Sequence, residues 1–164
     1  KILFIISVMI FSLEINANDS ARVVRVKDGD TYVLRKGNTD FTVRLKNVDA
    51  PESKQAFGFL SSIYVSQLIL GKVVKYDSTG MDIYNRVLAD IWVNNQLLDS
   101  LLIRNGLAWH YQQFSNDTLL KSMMVLALNE KKGLWKCGIV GVCPPNLWRL
   151  YTTKNKSKYC NGCK

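Results

Sequence analysis

The run Val26-Lys27-Asp28-Gly29-Asp30-Thr31-Tyr32-Val33-Leu34 (VKDGDTYVL) decides how the chain begins to fold. Asp-Gly between alternating apolar residues is a strong short-range hairpin signal. Asp28-Gly29 therefore predicts a bend joining a strand over 21–27 to a second over 31–36. Asp30 needs a separate explanation. It stands where an ordinary strand residue would do, and a second carboxylate beside Asp28 costs repulsion unless a cation sits nearby.

Working outward, Val24 and Val26 mark one face of the first strand. Phe41, Val43 and Leu45 alternate with Thr42, Arg44 and Lys46 along a third strand, which Pro51 breaks. Phe57, Leu60, Tyr64 and Leu68 recur at helical spacing, and Gly71 closes that helix. Strands over 72–76 and 87–93 flank the turn-rich stretch STGMDIYNR. A short helix over 97–104 ends at Gly106. A longer one over 115–132 has Ser115, Asn116 or Asp117 as cap, Gly133 as stop, and a face of Leu120, Met124 and Ala127. Five short strands with a helix between the third and fourth is the order of an OB-fold: α+β, mainly β, a five-stranded barrel with three helices.

The 164 residues suffice for one domain with a core, and 48% hydrophobic against 21% charged residues excludes a disordered chain. Lys1 followed by an apolar run to Leu13 reads as a signal peptide over residues 1–17, cleaved near Ala17. The run is short for a membrane span, so the expectation is export, secreted or periplasmic, with no stable membrane insertion afterwards; a short membrane anchor that stays attached is the alternative. The folded domain then covers 18–136, and 137–164 is a basic, cysteine-containing tail read as a cross-linked appendage with no separate core. In an oxidising compartment Cys137, Cys143, Cys160 and Cys163 read as disulfides, with three possible pairings; a four-cysteine zinc site is the rival. The net charge is +9, and from Asn146 onward there are five basic residues and no acid. That balance suits a polyanion.

A second acidic cluster lies in RLKNVDAPES, Arg44 to Ser53. Asp49 and Glu52 flank Ala50-Pro51, and proline fixes the turn so that both carboxylates can be aimed at one place. Glu52 also has the position of a helix cap for the helix that follows. In DIYNRVLAD, Arg86 opens a strand. Taken in order, VVRVKDGDTYVL, TVRLKNVDAPES, DIYNRVLADIWV, LLIRNGLAW and KKGLW resemble the thermonuclease family, the staphylococcal nuclease-like domains, from about Arg22 to Trp135.

The resemblance implies an OB-fold enzyme that cuts DNA and RNA with one calcium ion and leaves 3′-phosphates. It makes Asp30 and Asp49 carboxylate ligands and the Ala50 carbonyl a third, as suits a hard cation. It implies Glu52 as the base that activates water, and Arg44 and Arg86 as the arginines that stabilise the transition state. Tyr84 matches a tyrosine near the bound nucleotide; a half-buried strand-end tyrosine is the structural alternative. Trp109, Tyr111 and Phe114 form a second aromatic group, for stacking or packing. His110, the sole histidine, has no assigned role. Asn85 stands where the family usually has glycine, a position expected to need positive φ, which asparagine tolerates. The chain is expected to act as a monomer. A non-catalytic OB-fold module that binds nucleic acid is the alternative, and a surface protein using its tail on anionic polymers is a third. Those two predict binding without cleavage, and surface association lost on deletion after Trp135.

Overall fold

Period-two alternation becomes five curved strands whose inward residues are the core. The computed structural model describes residues 19–162; the expected signal segment (1–17) and Cys163 lie outside them. The barrel strands are β1 (Asp19–Val26), β2 (Thr31–Lys36), β3 (Thr39–Leu45), β5 (Val73–Met81) and β6 (Val87–Val93). They are hydrogen-bonded in the order β3-β2-β1-β5-β6. A parallel pairing of β3 with β6, Arg44 opposite Leu88, closes the ring and leaves the barrel without a free edge. Ala21, Val23, Tyr32, Leu34, Val43, Leu45, Val74, Ala89 and Ile91 fill the interior. At about 1.5–3 kcal/mol for each large apolar side chain taken from water, this layer is the main source of stability.

Helix α1 (Gly58–Ile69) lies between β3 and β5, as expected. β7 (Gln96–Leu97) is a short extension beside β6 and leads into α2 (Leu98–Arg104); α3 (Thr118–Asn129) packs on α2. Asp117 is the cap of α3, its carboxylate accepting from the N–H groups of Leu119 and Leu120. Two further two-residue strands, β4 (Val48–Asp49) and β8 (Trp109–His110), pair with each other outside the barrel. A 3-10 turn at Gly133–Trp135 precedes α4 (Pro145–Leu150) and α5 (Thr153–Tyr159). Among the described residues no helix is long and apolar enough to cross a membrane.

Several local expectations are corrected. β1 turns Ala21 and Val23 inward; a bulge between Val23 and Arg25 then shifts the alternation by one, so that Val26, opposite Tyr32, also packs half-buried against the core. The fully buried face of α1 is Ser61, Val65 and Ile69; of the stripe read from sequence, Tyr64 and Leu68 pack half-buried beside it and only Leu60 is exposed. β5 runs on to Met81 through residues expected to turn, because a bulge between Ser78 and Gly80 lets it stay paired with β6. Helix α3 stops at Asn129 rather than running to Lys132. The tail, read from sequence as a cross-linked appendage, forms two short helices. Its Cys143 and Cys160 are bonded, with Cα atoms 5.0 Å apart. A second small cluster of Ala127, Leu134 and Trp135 packs against Val142 of the tail as well as Phe57 and Trp109 of the domain.

Candidate active site

The β1–β2 hairpin supplies the first carboxylates. Asp30 N–H donates to Asp28 Oδ1 at 3.0 Å, and the buried Tyr32 hydroxyl donates to the Gly29 carbonyl at 2.6 Å. Gly29 is present for closeness: a Cβ there would collide with Ser61 of α1 and with Ala50. The bend is thereby pressed against the segment that carries the second carboxylate. Ala50 N–H donates to Asp30 Oδ2 at 2.7 Å, and the Thr31 hydroxyl to Asp30 Oδ1 at 2.9 Å.

Asp49 is presented by β4, held by its pairing with β8. Arg44 projects from β3 between the two acids, its Nη1 paired with Asp30 and its Nη2 2.8 Å from Asp49 Oδ1. All three side chains are nearly inaccessible: Asp30 is 4%, Asp49 3% and Arg44 8% exposed. Buried charges of this kind persist only when paired, and removing one partner is strongly destabilising. Burial opposes the Arg44 charge, yet Asp30 and Asp49 outweigh it and its pKa is raised. Burial raises Asp49, with Arg44 pulling the other way and Asp30 adding repulsion. Asp28 is pushed up to about 7, by burial first and by Asp30 second.

Glu52 follows Pro51 on the same rim. It does not cap α1, whose N-cap is Phe57 with no side-chain bond. Its loop is fixed through the backbone instead. Glu52 N–H donates to Gln55 Oε1 at 3.1 Å, Gln55 N–H donates to the Glu52 carbonyl at 2.8 Å, and Gly58 packs so closely on that carbonyl that a Cβ would collide with it. The Glu52 carboxylate accepts from Arg149 Nη1 at 2.6 Å.

Arg86 opens β6 after a tight turn in which Asn85 has φ 57°, the left-handed value expected of that position. Asp82 organises the turn: Oδ1 accepts from the N–H groups of Tyr84 and Arg86, and Oδ2 from Arg86 Nε at 2.7 Å. The Arg86 guanidinium is thus paired with Asp82 and not with the Asp30–Arg44–Asp49 network. Tyr84 is 72% exposed, not half-buried, and lies under the Arg86 guanidinium at 5.4 Å.

These groups line one groove of about 1060 Å³. That exceeds the usual small-molecule pocket and suits a polymer lying along the surface. Asp28, Asp30, Arg44, Asp49, Glu52 and the Asp82–Arg86 turn all line the groove. Tyr111 and Phe114, in ring contact at 4.8 Å, stand at the edge. The expected aromatic trio divides, because Trp109 packs edge-on against Trp135 at 5.6 Å. His110 is buried, which lowers its pKa against the opposing pull of Asp117, and neither ring nitrogen has a hydrogen-bond partner. Sequence reasoning missed Arg149 and Asp82. The acid-free basic tail was visible, but nothing in the sequence said that its arginine folds back onto Glu52.

The donor set near Asp30 is entirely oxygen, which fits calcium and not a soft metal. Among the described residues no three His, Cys, Asp or Glu side chains form a ready-made cage. Of the expected ligands, Asp30 and Asp49 are brought together through Arg44.

The family described as staphylococcal nuclease homologue matches residues 42–137. A protein of Escherichia coli named "Uncharacterized endonuclease" is 34% identical over 149 residues, covering 90% of this chain and 94% of that protein. One of the same name from Haemophilus influenzae is 36% identical over 132 residues, covering 80% and 73%. "Staphylococcal-like nuclease CAN1" of Arabidopsis thaliana is 30% identical over 95 residues, covering 58% of this chain and 29% of that protein. With the closed five-stranded barrel already described, these matches establish that the chain belongs to the staphylococcal nuclease homologues.

Proposed function

We propose that the chain is an exported, calcium-dependent endonuclease that hydrolyses phosphodiester bonds of DNA and RNA and leaves 3′-phosphates. The observation that carries the reading is the joining of Asp30, Arg44 and Asp49 in one buried network that lines the same groove as Glu52 and Arg86. Membership of the family and the endonuclease names of its relatives support it.

Asp30, Asp49 and the Ala50 carbonyl would hold the ion. Calcium bound there would offset phosphate charge and polarise a phosphoryl oxygen. The chain's own groups do the rest. Glu52 takes a proton from water as it attacks phosphorus in line with the departing 5′-oxygen, which leaves protonated by solvent. Arg44, held on its carboxylates, and Arg86, exchanging Asp82 for phosphate, donate to the non-bridging oxygens as they gain charge. Tyr84 offers an exposed ring face to a base.

Plasmid DNA and a structured RNA are incubated with calcium and then with excess chelator, and the product ends are analysed. Cleavage in calcium, its loss in chelator and 3′-phosphate ends are expected. Undiminished cleavage in chelator removes the metal from the reading. Binding without cleavage in calcium selects the non-catalytic OB-fold instead.

A further inference from the structure

We infer that Arg149 is a third substrate-binding arginine of this site, delivered by the C-terminal tail to the phosphodiester lying against Glu52; the inference rests on the nuclease reading above. Arg149 is 97 residues from Glu52 in the chain, yet its Nη1 donates to Glu52 Oε1 at 2.6 Å. Its Nη2 is 3.4 Å from Asp49 Oδ2. Burial works against its charge, and Glu52 with Asp49 outweighs that and raises its pKa. The side chain is 46% exposed and lines the groove. Half-exposed ion pairs contribute little to stability, so stability alone does not account for an arginine in this position.

Two features hold it there. The Gln55 side chain accepts from Glu52 N–H and donates, at 2.5 Å, to the Cys143 carbonyl. One buried amide thus couples the Glu52 loop to the start of α4. The Cys143–Cys160 bond then closes α4 and α5 into a loop. The surface beyond is basic, with no acid after Asn146, and Lys156 sits over the Trp148 ring at 4.9 Å.

A phosphate seated between Glu52 and Asp49 lies within reach of this guanidinium fork, whose paired N–H groups match two phosphate oxygens. Arg149 exchanges its carboxylates for the phosphate. The same exchange frees Glu52 Oε1 for the water whose proton it takes. Arg149 therefore both binds substrate and times the exposure of Glu52.

The full chain, with disulfides intact, is assayed in calcium on a single-stranded oligonucleotide carrying a fluorophore and quencher. Arg149→Ala should lower kcat/KM roughly 10- to 100-fold without changing the melting temperature. Arg149→Lys, which keeps the charge but not the fork, should recover part of that loss. Binding of the oligonucleotide in chelator should weaken, with a salt slope reduced by about one. An unchanged kcat/KM in Arg149→Ala overturns the inference. A raised kcat/KM also overturns it, since Arg149 would then be a latch on Glu52. If the wild-type chain cleaves nothing, the nuclease reading fails by itself. Binding in chelator then decides: weakened binding keeps Arg149 as a phosphate contact, and unchanged binding removes it.

Discussion

At the scale of single residues, the division of labour proposed for the acids rests on burial. Asp30 and Asp49 are enclosed and already paired with Arg44, so neither is available to shuttle protons. Glu52 is more open, its side chain 37% exposed at the groove rim. Glu52→Gln keeps the shape and an acceptor oxygen for Arg149 but removes the ability to take a proton. We expect kcat to fall roughly 10²- to 10⁴-fold with KM little changed. A steady-state titration reads both, and a KM that rises as far as kcat falls would mean that Glu52 only binds. Asp30, Arg44, Asp49 and Glu52 could be picked out in the sequence because each lies in a short local motif at a strand end or a proline turn. Asp82 could not: its work is to accept two backbone N–H groups and one guanidinium, and an acid in a turn has many such uses. Arg149 depends on a contact between distant parts of the chain, which no local pattern encodes.

At the scale of elements, the long strands were legible from alternation, and the errors fall where a bulge resets it, at Val23 and at Ser78. The two-residue strand β4 carries Asp49 yet is too short to leave a periodic signature. Its approach is fixed by Asn47, whose side-chain amide donates to Asp90 of β6 and to Asp99 of α2, each at 2.9 Å. Asp99 is fully buried, and its Oδ1 has no hydrogen-bond partner. Burial pushes its pKa to about 7; Asp90 adds repulsion, while Asn47 and Lys46 pull the other way. Near pH 3 the carboxyl is protonated whether the chain is folded or not. As pH rises from the ordinary value of 3.8 towards 7, the unfolded chain releases this proton and the folded one retains it. This group's contribution to stability is therefore lost over that window, on the order of 4 kcal/mol by pH 8. Asp99→Asn cannot ionise. Its stability relative to wild type should be nearly flat below pH 4 and then climb through pH 7. Urea unfolding of both chains across that range measures the difference, and a pH-independent difference would show that Asp99 is not held protonated.

At the scale of the whole molecule, the barrel and the tail are joined at the site. Among the described residues the main core contains none from the tail, while Arg149 of the tail lines the groove. Both halves of the Cys143–Cys160 bond lie within the tail, 17 residues apart. Closing a loop of that size is worth roughly 3 kcal/mol against the unfolded loop, and that benefit falls on α4 and α5 rather than on β1–β6. Replacing both cysteines by serine should therefore leave the barrel's melting temperature within a few degrees of wild type. The tail should become an early target of trypsin, cut among its lysines while the fragment ending near Lys136 resists. Cleavage of the oligonucleotide should weaken in the same direction as in Arg149→Ala, because an unfastened α4 no longer holds the guanidinium against Glu52. Substitution of Arg149 should then add little to the loss already caused by removing the disulfide, since both changes act through one contact. Full, independent losses that simply multiply would show that the tail acts elsewhere on the substrate. A double-mutant cycle on kcat/KM distinguishes the two.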